Sequence, residues 1–138
     1  MYAIVVGDGR VAEELAGRLI QAGNEVAIVA ARHSDDLAVS LPSALVVRGE
    51  GGDARALADA GASAADIVVA ACEDDAANIS ACVEAKRVFD VERVVALSHS
   101  PENAPAFDAL GVDVVCSTSL VAATMLARVG VGREVTLA

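Results

Sequence analysis

The chain has 138 residues and sets 10 Lys+Arg against 20 Asp+Glu, a formal charge of −10 at neutral pH. That length suits one compact domain able to bury a core without disulfides or metal, and it excludes two large ones. Hydrophobic residues make up 55% and aromatics only 2%, so the chain lacks the basic grooves and stacking platforms that hold nucleic acid.

Charged residues or glycine interrupt every apolar stretch before the ~18–20 residues that span a bilayer, so no direct membrane insertion is expected. The opening Met1–Val6 has no basic flank and runs straight into Gly7, which reads as a strand and not a signal peptide and points to the cytoplasm. Cys72, Cys82 and Cys116 show neither CxxC spacing nor nearby histidines. Reduced, mostly buried thiols are expected, not disulfides or a zinc site.

Apolar, β-branched runs recur at Ala3–Val6, Val26–Val29, Ala44–Val47, Ile67–Ala71, Val94–Leu97 and Val112–Val115. Lacking polar alternation, they match strands of a parallel sheet covered on both faces. Between the first two, Val11–Ala22 places Leu15, Leu19 and Ala22 on one helical stripe and stops at Gly23. Ser34 is placed to cap a turn over Asp35 and Asp36, and Asp53 to cap a short helix ending at Gly61. Asp74 or Asp75 starts a longer helix through Phe89, Ser100-Pro101 starts another ending at Leu110-Gly111, and a last helix is expected over Ser117–Val129. This alternation predicts an α/β fold, a Rossmann-like, doubly wound, six-stranded and mostly parallel sheet with helices on both faces. Residues 1–129 form the expected domain. The segment 130–138, with Gly130 and Gly132, reads as a hinge or tail leading to a C-terminal domain absent from this chain, with a dimer-forming edge strand or a frayed end as alternatives.

Gly7-Asp8-Gly9-Arg10-Val11-Ala12 lies between the first strand and first helix, where the dinucleotide fingerprint GxGxxG/A belongs. Gly7 permits the tight turn, Gly9 lets the backbone approach a pyrophosphate, and Ala12 lets the helix pack on the sheet. Arg10 either adds positive charge to this anion site or is solvated. An acid that binds ribose hydroxyls is expected about 20 residues on, but that position is Ala30. The following Ala31, Arg32, His33 and Ser34 offer a cation, an imidazole and a hydroxyl. They suit a 2′-phosphate, which leaves NADP(H) open beside a merely solvated loop.

More segments follow the same order: Gly23-Asn24-Glu25-Val26, Gly49-Glu50-Gly51-Gly52-Asp53 with Leu57 and Ala60-Gly61, and Ala65-Asp66-Ile67-Val68-Val69-Ala70. Cys72-Glu73-Asp74-Asp75 with Asn78 and Leu110-Gly111-Val112-Asp113-Val114-Val115 complete the set. Together with the glycine loop they resemble the TrkA-N family, the nucleotide-binding N-terminal half of the RCK or KTN regulators of potassium channels and transporters, from Met1 to about Leu126. The resemblance implies a cytosolic module, peripheral to the inner face of the membrane, that assembles as a homodimer or higher ring. It would bind NAD(H), ATP or ADP and signal occupancy to the membrane subunit of a potassium channel or transporter.

At the point where strand order reverses, the diphosphate is expected over Gly7–Ala12, with Gly7, Asp8, Gly9, Arg10 and Val11 as its contacts. The adenosine is expected near Ala30, Ala31, Arg32 and Glu50, with a helix-capping or solvated Glu50 as the alternative, and the second phosphate-sugar portion near Ala71 and Cys72. Asn78 is either a ligand contact or, with Asp75, part of a helix start. The family's ribose-binding acid falls at Ala30, its loop threonine at Cys72, its strand-five arginine at Leu97 and its late glutamate at Ser119. No Tyr-x-x-x-Lys, Ser/His/Asp or metal-ligand pattern is present, Lys86 is the only lysine, and His99 reads as a loop histidine. No enzymatic activity is therefore expected; an NADP(H)-binding module or reductase fragment using Arg32, and a ligand-free dimerisation domain, are the alternatives.

Overall fold

The computed structural model describes residues 1–130. Its strands are β1 (Tyr2–Val6), β2 (Glu25–Ala30), β3 (Leu45–Arg48), β4 (Ile67–Ala70), β5 (Arg93–Ser98) and β6 (Asp113–Cys116). They form one six-stranded sheet in the order β3-β2-β1-β4-β5-β6. Among the described residues every pairing is parallel. The helices are α1 (Arg10–Gln21), α2 (Ser34–Ser40), α3 (Ala54–Asp59), α4 (Asp75–Val83), α5 (Ala104–Ala109) and α6 (Ser117–Val129). None of the described helices is long and apolar enough to cross a membrane.

The strand period of two divides the core between the two faces of the sheet. Val5, Ile28 and Ala30 face Ala12 and Ala16 of α1 and Leu37 of α2. Ile4, Val6, Val29 and Val68 join the opposite cluster with Leu57 of α3, Cys82 of α4 and Phe107 of α5, the only fully buried aromatic ring among the described residues. Small residues let helices lie close to the strands, which is why an alanine-rich chain with few rings still fills its interior.

Several boundaries differ from expectation for local reasons. The edge strands β3 and β6 each begin one residue later than their apolar runs; an edge strand pairs on one side only, so its ends are set by the neighbouring ladder. The expected helix to Phe89 is α4 followed by a π-helical widening over Glu84–Val88. The helix expected from Pro101 is a short 3₁₀ turn over Pro101–Asn103 and then α5. Ser34 is the first residue of α2, and His33, in the left-handed region at φ 60°, holds the N-cap position instead. The expected hinge or tail beyond Gly130 lies outside the described residues.

Candidate functional site

β1 is flanked by β2 and β4, with Val6 opposite Val29 on one side and Ala70 on the other. Chain direction therefore diverges just beyond Val6, the switch point at which open α/β sheets form a crevice. Gly7 fills this position. Its N–H donates to the Val29 carbonyl at 2.9 Å, its φ is +139°, and a Cβ there would lie 2.6 Å from the Ala71 carbonyl oxygen. Only glycine fits. Gly9 then serves as the N-cap of α1 without a side-chain cap of its own, leaving first-turn N–H groups directed outward.

The crevice has a volume of about 250 Å³ and opens between four loops. It brings together six of the expected residues: Gly7, Asp8, Ala31, Arg32, Glu50 and Cys72. The Asp8 carboxylate accepts a hydrogen bond from the Arg32 N–H at 2.6 Å, closing one side. Gly49 and Gly51 form another wall, and a side chain at Gly51 would collide with Val6. Sequence reasoning did not single out Gly49, Gly51, Glu73 or Asp74 as cleft residues. Gly51 must be small because its backbone approaches Val6 of β1 and Gly49 because it approaches Ala56 of α3, and no local pattern encodes either.

The other expected contacts, Gly9 among them, do not line the crevice. Ala30 is fully buried, its methyl in the cluster under α1 and α2, and Ala71 is also buried. Arg10 and Val11 are exposed on the outer side of α1, beside Glu13, Glu14 and Arg18. Asn78 is fully buried and acts as a brace. It accepts from the Cys72 N–H at 2.7 Å and donates to the carbonyls of Cys72 and Leu97 at 2.9 and 2.8 Å.

Asp74, not Asp75, caps α4, accepting from the Ala76 N–H at 3.2 Å. Asp75 reaches across to the end of β5, accepting from the N–H groups of His99 and Ser100 at 2.7 and 3.1 Å and from Asn103 at 2.8 Å. Burial opposes its ionisation. The hydrogen bonds from Asn103, His99, Ser100 and Ser98 outweigh that and hold its carboxyl below the ordinary range. His99 is engaged at both ring nitrogens: Nε2 lies 3.1 Å from the Cys72 carbonyl and Nδ1 3.1 Å from the Ser117 hydroxyl. A carbonyl only accepts, so Nε2 carries a hydrogen.

The cleft is electronegative, with Asp8, Glu50, Glu73 and Asp74 set against Arg32. Burial, then Asp8, Glu50 and Asp74, push the Cys72 thiol up to about 11. Cys82 is buried, but Cys72 and Cys116 are only half-buried, which corrects the expectation of mostly buried thiols. No cluster of metal-ligating side chains occurs among the described residues.

Residues 3–118 match the model of the TrkA-N domain. The chain belongs to the TrkA-N domain family. A Trk system potassium uptake protein TrkA homolog from Methanothermobacter thermautotrophicus is 35% identical over 130 residues, covering 93% of this chain and 59% of that protein. This TrkA-N domain thus spans little more than half the length of that relative. Among solved structures, the TrkA-N domain of the inner membrane protein ybaL from Escherichia coli superimposes with a TM-score of 0.83 at 17% identity, covering 92% of this chain and 95% of that one. The GsuK channel bound to ADP gives 0.78 at 19% identity, over 92% of this chain and 34% of that one. GsuK has also been solved bound to NAD. These structural likenesses establish the fold.

Proposed function

We propose that this TrkA-N domain is a nucleotide-sensing regulatory module that controls a potassium transport system through a membrane subunit. The observation that carries the reading is the Gly7–Gly9 turn at the switch point of the sheet, which opens the crevice onto Ala31, Arg32, Glu50 and Cys72. The relationship to a Trk potassium uptake protein supports the transport role. GsuK, solved with NAD and with ADP, supports NAD(H) or an adenine nucleotide as ligand. In this reading the diphosphate faces Gly7–Val11, the adenosine lies toward Ala31, Arg32 and Glu50, and the remaining portion extends toward Cys72.

The module is not an enzyme in this reading. His99, which touches the cleft wall at the Cys72 carbonyl, has both nitrogens committed to structural partners. Those partners couple the cleft to α6, because His99 joins the Cys72 carbonyl in the cleft wall to Ser117 at the start of that helix. Val121, Met125, Leu126 and Val129 of α6 are exposed and supply an apolar surface for a homodimer or ring at the cytoplasmic face of the membrane. A nucleotide shifts transport only by binding two assembly states unequally.

Thermal unfolding with NAD, NADH, NADP, NADPH, ATP, ADP and AMP at matched ionic strength tests the ligand class. A ligand at one hundred times its dissociation constant stabilises the folded chain by ~2.7 kcal/mol. Midpoint shifts with NAD(H) or adenine nucleotides are expected. A shift confined to NADP(H) transfers the assignment to Arg32, the cation among the crevice-lining residues. No shift with any of them contradicts nucleotide sensing and leaves a ligand-free dimerisation domain. Failure to co-purify with a potassium transport membrane subunit at low salt contradicts the partner.

A further inference from the structure

The glycine loop already has an anion beside it. The Cys72 backbone is clamped by Asn78, and Asp74 is fixed as the cap of α4. Glu73, between them, therefore has a fixed Cα, and its side chain extends from the crevice wall to Gly9. A Cβ built on Gly9 would collide with the Glu73 carboxylate oxygen and lie 3.1 Å from its Cδ. Phosphate oxygens seated on the first-turn N–H groups of α1 need this same space. Glu73 is solvent-exposed, so its carboxylate can rotate away.

We infer that Glu73 is a specificity-determining residue, a built-in anion that occupies the diphosphate side of the crevice and that a nucleoside diphosphate must displace. This rests on the nucleotide-binding reading above and deepens it. Two anions within a few ångströms repel even near a protein surface, and Asp8, Glu50 and Asp74 add to the negative field. Glu73 thus penalises ligands according to the phosphate charge they bring to Gly9, while the nucleoside portion, directed toward Ala31 and Glu50, is unaffected. The crevice volume of about 250 Å³ falls below the ~300–1,000 Å³ usual for small-molecule sites, consistent with a side chain taking up part of it.

The test is calorimetric titration of the full chain and its Glu73→Gln and Glu73→Ala variants with ADP and with adenosine. Glu73→Gln keeps the bulk and removes the charge, and is expected to tighten ADP about fivefold at low salt, with the gain shrinking as salt rises. Glu73→Ala gains at least as much, and adenosine binds all three proteins alike. If wild type and both variants bind ADP equally, Glu73 is no gate, although the nucleotide site stands. If adenosine gains as much as ADP, the effect is not phosphate repulsion and the inference fails. If none of the three binds ADP, the inference and the nucleotide-binding reading fall together.

Discussion

The side-chain amide of Asn78 forms a closed pair of hydrogen bonds with the backbone of Cys72, accepting from its N–H at 2.7 Å and donating to its carbonyl at 2.9 Å. A third bond, at 2.8 Å to the Leu97 carbonyl, ties the β4–α4 loop to β5. Asn78 lies at 0% exposure, so water cannot replace these partners. Asn78→Ala is expected to cost about 2–4 kcal/mol, since it strands buried backbone groups. It should weaken nucleotide binding as well, because the Cys72 wall loses its anchor. Urea unfolding and ADP titration read the two effects separately.

The two glycines of the loop have different jobs and should fail differently. Gly7 has a φ of +139° and the Ala71 carbonyl 2.6 Å from where a Cβ would sit, so Gly7→Ala is expected to destabilise by about 3 kcal/mol or more. Gly9 has an ordinary φ of −87°, and its crowding comes from the flexible end of Glu73. Gly9→Val should therefore change stability by no more than about 1 kcal/mol while abolishing ADP binding. Denaturation and calorimetry on the same two variants check this division.

Asp75 gives the fold an acid-sensitive element. Its folded-state pKa lies below the ordinary carboxylate value, and the unfolded value is about 3.9. Its contribution is complete above the unfolded pKa and is lost as pH falls through the folded one. Asp75→Asn should be less stable than wild type at pH 7, and the gap should narrow as pH drops below about 4. Stability measured against pH for both proteins reads this directly; a constant gap would remove Asp75 from the acid response.

The three thiols should react in a fixed order. Hydrogen bonds from the Ser119 side chain and backbone, aided by Thr118, lower the Cys116 pKa despite a small opposing burial effect. Burial raises both Cys72 and Cys82 to about 11. Since the thiolate is the nucleophile, iodoacetamide at neutral pH is expected to label Cys116 first, as peptide mapping will show.

The sheet and the glycine turn were legible because both depend on local chemistry: unbroken apolar runs for buried parallel strands, and two glycines spaced for a strand-to-helix turn. The Gly49–Gly51 wall is not legible as a wall in the sequence, because the need for small residues there comes from Ala56 and Val6, which are brought close only by the fold. Asp74 and Asp75 look interchangeable as caps when read along the chain. Their roles separate only once β5 brings His99, Ser100 and Asn103 to Asp75. Ala30 was expected at the ligand because the fingerprint's acid belongs there, yet an alanine at that strand end turns into the core. Glu73 carries no local signature at all; it is placed by the clamp on Cys72 and the cap at Asp74.

Whether this crevice receives a nucleotide is read out by an amide NMR titration of the chain with ADP. Shift changes are predicted to concentrate at Gly7–Val11, Ala31–Arg32, Gly49–Gly51 and Cys72–Asp74, with weaker changes passing through His99 to Ser117. Saturation with ADP that leaves those amides unmoved, or moves only residues remote from the crevice, would contradict nucleotide binding there.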